Sequence, residues 1–176
     1  MSARTLDRPA LGDLDDVFEI YSDPRVWSHF PSGRITTREG AEAFLLSRIA
    51  GWETDGLGTW IVRDSPEGPM LGNCGCSIRK DAFWNLGYRF RPEVQGRGLA
   101  TDISRLAISR AQQVRPELPV IAYLLEHNVS SRRVAEKLGL SLRHRAPDAG
   151  NPDPSAMRLV FSDRALTPTQ LDAALG

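Results

Sequence analysis

Gln95-Gly96-Arg97-Gly98-Leu99-Ala100 sets two glycines against a segment whose apolar residues, Leu99, Ile103, Leu106, Ala107, Ala111 and Val114, recur at helical spacing. Glycine lets a backbone turn tightly and lets a ligand approach, because no Cβ intervenes. The start of a helix offers unpaired N–H groups and a partial positive charge, so this turn suits an anion such as a phosphate. The same two glycines can equally shape a loop and do no more. A dinucleotide site would want a small residue three positions after Gly98, where Thr101 stands. A phosphate-loop NTPase is excluded, since no Gly-Lys-Ser/Thr occurs.

A second polar group, Glu126-His127-Asn128-Val129-Ser130-Ser131, follows the mostly apolar run Pro119 to Leu125. Asn128 brings an amide donor and acceptor and Ser131 a hydroxyl, suited either to a ligand or to capping a helix. Cys74 and Cys76 point the same way on a strand, a poor geometry for a mutual disulfide, and read as buried packing residues. His29, His127 and His144 lack metal-ligand spacing, so no metal site is expected.

The elements that position these groups follow from periodicity. Leu14, Val17, Phe18 and Tyr21 mark a first helix over Asp13 to Ser22, ended by Pro24. Thr36-x-x-Glu39 reads as a capping box, and Ala41, Phe44, Leu45 and Ile49 line a second helix that closes at Gly51. An aromatic loop, SDPRVWSHFPSGRI, joins the two. Thr59–Asp64, Met70–Lys80 and Phe83–Phe90 alternate as strands with short connections, which predicts an antiparallel meander. The third helix and the Pro119–Leu125 strand then predict a parallel pair with a right-handed crossover. Ser130 to Leu138 is a fourth helix closed by Gly139. Leu140–Arg145 and Met157–Phe161 complete the sheet around APDAGNPDPS, and Leu166–Leu175 is a terminal helix. No repeat or linker interrupts residues 1–176, so a single domain is expected.

Lys+Arg and Asp+Glu both total 22, so no net field recruits a nucleic-acid backbone or an anionic membrane. Neither partner is expected. Met1-Ser2-Ala3-Arg4-Thr5 leads into charged sequence, and no apolar run is long enough to span a bilayer, which predicts a cytoplasmic protein. A homodimer is compatible with this reading.

Gln95-Gly96-Arg97-Gly98-Leu99-Ala100 resembles the Q/R-x-x-G-x-G/A acetyl-CoA signature of the GNAT superfamily of N-acetyltransferases. Asn128-x-x-Ser131 with Arg133-Val134-Ala135-Glu136-Lys137-Leu138-Gly139 resembles the second segment of its RimJ/RimL-type branch, which acetylates amino groups including protein N-termini. The likeness extends to SDPRV, to Leu71-Gly72-Asn73-Cys74-Gly75 and to Arg158-Leu159-Val160-Phe161.

The resemblance implies an α/β (α+β) fold: a mixed, largely antiparallel central sheet with a splayed parallel strand pair and helices on both faces. It implies an acetyl-CoA-dependent N-acetyltransferase in which the amides of Gly96, Arg97, Gly98, Leu99, Ala100 and Thr101, after Gln95, hold the pyrophosphate. Phe90 and Asn128 would contact the pantetheine arm, and a bulge in the Phe83–Phe90 strand would aim an N–H at the thioester carbonyl. The acceptor would be a small-molecule or peptide amine, attacking directly within a ternary complex. A thioester is already activated, so no covalent enzyme intermediate is needed. An α-amine, with a pKa of roughly 8, needs less help to lose its proton than a lysine of roughly 10.4.

Asn85 stands where many relatives have a glutamate, and Ala135 where many have a tyrosine that protonates the leaving thiolate. Ser131 is then the residue left to hydrogen-bond the sulfur. Asp148, Asp153, Glu126 and His29 are candidate bases, Asp148 the one assigned as catalytic. Trp27, His29, Phe30, Trp84 and Asn85 are expected to line the acceptor pocket. The alternative is a non-catalytic CoA or nucleotide sensor that keeps the fold.

Overall fold

A computed structural model describes residues 4–176, so the reading of Met1–Ala3 lies outside the described residues. Seven strands form one mixed sheet: β1 (Thr5–Asp7), β2 (Thr59–Arg63), β3 (Met70–Arg79), β4 (Phe83–Phe90), β5 (Val120–Leu125), β6 (Ser141–Pro147) and β7 (Met157–Ser162). Their order is β1-β2-β3-β4-β5-β7-β6, and β4–β5 is the one parallel pair. The helices are α1 (Leu14–Ser22), α2 (Arg38–Asp55), α3 (Leu99–Val114), α4 (Val129–Lys137) and α5 (Pro168–Leu175). This is the mixed, largely antiparallel architecture expected. No helix of the described residues is long and apolar enough to cross a membrane.

Strand alternation sorts the side chains onto two faces. Trp84, Leu86 and Phe90 of β4 join Val120, Ala122 and Leu124 of β5 in a core with Leu99, Ile103 and Ala107 of α3 and Ala135 of α4. On the other face, Val17 and Ile20 of α1 and Ala41 and Leu45 of α2 cover Ile61 and Met70. Farther along that face, Ala174 of α5 meets Phe83, Ile121 and Val160. Arg91 ties α1 to the end of β4: its Nε donates to the Met70 carbonyl and its guanidinium pairs with Asp16 and Glu19.

Several local expectations change. The edge strand β1 escaped the periodicity, since three residues carry too little alternation to register. Thr37, not Thr36, caps α2 by accepting from the Gly40 N–H, and the helix runs through Gly51 to stop at Gly56, whose φ is +70°. Trp52 explains the extension: it is buried, and its indole donates to the Thr59 carbonyl at 2.9 Å. α4 begins at Val129, one residue before the expected Ser130, with Asn128 in the capping role its side chain suits, and α5 begins at Pro168 behind a Thr167–Gln170 capping box.

Trp84 is the largest correction. It is 0% exposed in the α3-facing core, with its indole N–H on the Arg115 carbonyl, so it lines no acceptor pocket. Its even position on β4 turns it to the face opposite Asn85. Trp84→Ala is therefore expected to destabilise the protein by about 3–5 kcal/mol in chemical denaturation, the cost of emptying a large aromatic site in a core.

Candidate functional site

β4 and β5 pair only at Trp84–Val120 and Asn85–Ile121 and then diverge. Against β3 the register of β4 is unbroken from Phe83 to Phe90, so the expected bulge is not there. The strands splay because the parallel pairing stops, not because an extra residue intervenes.

Peptide alternation decides which groups the gap exposes. The Trp84 N–H bonds Pro119 on the β5 side and the Arg91 N–H bonds Leu71 on the β3 side. The N–H and C=O groups of Leu86, Tyr88 and Phe90 consequently point to the β5 side, where the Leu86 N–H closes the pairing on the Ile121 carbonyl and those beyond it face the gap. Gln95 donates from Nε2 to the Phe90 carbonyl at 3.0 Å, and the Asn128 N–H takes the Leu125 carbonyl at 2.9 Å. The Tyr88 amide, the first beyond the pairing, faces open space.

Two cavities occupy the gap. One, of about 660 Å³, is walled by Phe90, Gln95, Gly96, Gly98, Leu99, Ala100, Thr101, Asn128 and Ser131, all assigned from sequence to the cofactor. The other, of about 270 Å³, includes His29, Phe30, Asn85 and Asp148 in its wall. His29, Tyr88, Arg89, Asn128 and Ser131 line both, so the cavities join there.

At the head of α3, Gly96 and Gly98 have φ of +75° and +84°, which favours glycine at both. Gly98 is the N-cap and offers no side chain. The first helical bond runs from the Asp102 N–H to the Gly98 carbonyl at 3.0 Å, which leaves the amides of Leu99, Ala100 and Thr101 without helical acceptors. Three donors and the helix dipole thus converge on the larger cavity. Arg97 is exposed and belongs to neither wall.

Across the gap, Asn128 is a helix cap and a cavity residue at once. Its Oδ1 accepts from the Ser131 N–H at 3.2 Å, which leaves its Nδ2 hydrogens to the cavity. The Tyr88 hydroxyl donates to the Ser131 carbonyl at 3.4 Å. Burial pushes this phenol up to about 12, so it remains a neutral donor.

The aromatic loop folds over the smaller cavity. His127 donates from Nε2 to the His29 carbonyl at 2.7 Å, and Arg89 Nη1 lies 3.3 Å from His29 Nε2 and 3.2 Å from the Val26 carbonyl. Trp27 is not in the wall: it is 8% exposed, its indole bonds Tyr21, and it supports the Arg89 guanidinium 3.9 Å above its ring. Burial, then Arg89 and His127, lowers His29 to about 4, so its imidazole is neutral near pH 7.

Of the four candidate bases, His29 and Asp148 reach a cavity. Glu126 is bound in bidentate fashion by Arg145, and exposed Asp153 accepts from Ser155. Asp148 receives Arg158 Nε at 2.5 Å and Asn151 Nδ2 at 2.8 Å, with its side chain 8% exposed. Sequence reasoning missed Tyr88, Arg89, Tyr123 and Arg158 in the walls, and Arg133 and Lys137 in the larger cavity. A lone charged residue within the Phe83–Phe90 strand was the available signal for Arg89. The i, i+4 spacing of Arg133 and Lys137 was that for the other pair.

Because His29 titrates near 6.5 when unfolded and about 4 when folded, the unfolded chain binds more protons between those values. Its contribution to stability is whole above pH 6.5 and declines as pH falls toward 4. Denaturation midpoints measured across that window should drop less steeply in His29→Gln than in the parent.

Residues 4–141 match the family model described as an acetyltransferase (GNAT) domain. The chain is 31% identical over 124 residues to the uncharacterized protein YkkB of Bacillus subtilis (strain 168), covering 69% of this chain and 71% of that one. Its fold is similar to that of RimL, the ribosomal L7/L12 alpha-N-protein acetyltransferase, in complex with coenzyme A. That match has a TM-score of 0.74, 13% identity and coverage of 94% of this chain and 96% of the other. Similar too is yncA from Salmonella typhimurium with its cofactor acetyl-CoA, at a TM-score of 0.70, 18% identity and coverage of 95% and 98%.

Proposed function

The chain belongs to the acetyltransferase (GNAT) family, and from that premise we propose that it is an acetyl-CoA-dependent N-acetyltransferase that acetylates a primary amine. One observation carries the reading. The unpaired amides at the head of α3 open into a cavity that runs along the gap between β4 and β5 and joins a second cavity of different lining. A long phosphate-ended thioester fits the first and an amine the second. RimL and yncA, by their names, bind coenzyme A and acetyl-CoA, which supports the donor. Within the family, Asn128-x-x-Ser131 and the fold shared with RimL favour the RimJ/RimL-type branch, and residues 1–176 act as one domain.

In the proposed ternary complex, the Gly96–Thr101 turn holds the pyrophosphate, with Gln95 ordering the strand end and Arg97 adding charge from outside. The pantetheine arm lies between the Phe90 edge and Asn128. The Tyr88 N–H points to where the thioester oxygen gains charge as the amine attacks, a preorganised donor of the kind that stabilises a tetrahedral intermediate. The new C–N bond forms, the C–S bond breaks, and the departing sulfur takes a proton through Ser131. The amine enters from the smaller cavity past His29, Phe30 and Asn85, and loses its proton to Asp148, directly or through water. Its source is a small molecule or a peptide N-terminus.

Gly98→Val should remain folded, lose about 1–2 kcal/mol to left-handed backbone strain, and fail to bind acetyl-CoA in calorimetry. Normal affinity in a folded variant would remove the glycine turn from the site. Asp148→Asn should lower kcat on the order of 10²-fold while acetyl-CoA affinity holds. Thiol release is the assay, with acetyl-CoA and a panel of amines. Tight coenzyme A binding without release from any amine would identify a sensor instead.

A further inference from the structure

Arg89 stands where the two cavities join, and its guanidinium is only partly satisfied. Nη1 serves the Val26 carbonyl and His29, and Trp27 supports the plane from below. Nε is buried without an acceptor, and Nη2 is the group left with a face toward the cavities. A buried donor without a partner is costly, more so on a charged group. The nearby Tyr21 hydroxyl, which exchanges hydrogen bonds with Asn73, favours the charged guanidinium but does not meet Nε. Burial lowers the Arg89 pKa, and no carboxylate of the described residues acts to raise it.

The surrounding charges leave the same imbalance. Asp148 is the one carboxylate in the smaller cavity's wall, and it is taken by Arg158, whose Nη1 is further bound to the carbonyls of Ala174 and Leu175. Asn85 is a neutral amide and His29 a neutral imidazole. Arg48 of α2 brings a second guanidinium near Tyr21 and Tyr123, again with a buried Nε that no acceptor meets. Arg48 is in neither wall, and the wall of the smaller cavity itself sets Arg89 and Arg158 against the single carboxylate of Asp148.

We propose that the acceptor is a free α-amino acid whose carboxylate pairs with the Arg89 guanidinium through Nη2. A charge-assisted N–H···O bond from a guanidinium to a carboxylate is short and strong, and Arg89 has no carboxylate of its own. In an α-amino acid the amine is two bonds from the carboxyl carbon, so a carboxylate on Arg89 sets the nitrogen at the junction, beside Tyr88 and Ser131. In a protein N-terminus the same carbon is an amide, which brings no charge to Arg89. Leu86, Tyr123 and Leu125 line the cavity and suit an apolar side chain. This inference rests on the smaller cavity being the acceptor site.

Binding and turnover test it separately. With coenzyme A present, calorimetry compares N-acetyl-leucine with N-acetyl-leucinamide, and the methionine and phenylalanine pairs likewise. Acetylation removes the amine from the comparison, so the carboxylate alone differs. The acids should bind at least about tenfold more tightly, Arg89→Gln should bring the ratio near one, and Arg89→Lys should retain part of it. Equal binding of acid and amide to the parent protein overturns the proposal without recourse to any variant. So does a ratio unchanged by Arg89→Gln. In turnover, leucine should exceed both leucinamide and a leucine-initiated peptide in kcat/KM. Equal or faster acetylation of the amide and peptide would reject the carboxylate while leaving acetyl transfer intact. Failure to bind acetyl-CoA or to acetylate any amine would reject the enzymatic reading, and the calorimetric ratio would still decide what Arg89 holds.

Discussion

Two residues of parallel pairing between β4 and β5 hold the sheet together at its centre, and the rest of the site depends on their being only two. Each strand is secured on its outer side, β4 by eight consecutive register positions with β3 and β5 by five with β7. The inner edges can therefore part without releasing either half. A strand edge carries alternating donors and acceptors that need partners once they are shielded from water. The protein supplies some of these from Gln95 and from the turn at Asn128, and the others face the cavities. A gap in a β-ladder thus leaves hydrogen-bonding groups free to meet a ligand or water, before any side chain is considered.

Charge is handled by the same economy of partners. Arg63 and Arg91 hold α1 to the sheet through Asp13, Asp16 and Glu19, and Arg158 is matched by Asp148. These arginines are structural, since each has its carboxylate. Arg89 shares their strand environment but not their partner. Its neighbours are a carbonyl, an imidazole, the Tyr21 hydroxyl and an indole face, which orient the guanidinium without supplying a carboxylate. Orientation without neutralisation is what distinguishes an arginine that waits for an anion from one that braces a fold.

Much of the fold was legible because its elements follow simple periods. The β2–β4 meander, the α3 stripe and the apolar β5 run each repeat often enough to be read. β1 was not, being three residues long, and α2 was ended early because Gly51 looks like a stop while Trp52, which anchors the last turn, lies just beyond it. At the site, local motifs located the glycine turn and Asn128-x-x-Ser131, since each lies on one short segment. Trp27 and Trp84 were misassigned because aromatic character does not say which face of a strand or loop a ring takes. Asn85 and Trp84 are adjacent in sequence and on opposite sides of the sheet. Arg89 was missed for a related reason: its meaning lies in the absence of a carboxylate, and partners drawn from α1, α2, β7 and the aromatic loop become countable only in three dimensions.

The residues shared by both cavities explain why structural and chemical roles are hard to separate here. Asn128 uses its oxygen to cap α4 and keeps its N–H donors for the gap, so one side chain fixes the helix and faces the ligand. Tyr88 gives its backbone to the gap and its hydroxyl to Ser131, which links the strand edge to the same helix. His29 holds Arg89 through one nitrogen while its carbonyl is held by His127. Each group therefore has its position determined from two elements before a ligand arrives. Such preorganisation lowers the ordering cost of bringing two substrates together. It also means that the divergence of β4 and β5, the cap of α4 and the placement of Arg89 are one arrangement, in which loosening any part shifts the junction where the two cavities meet.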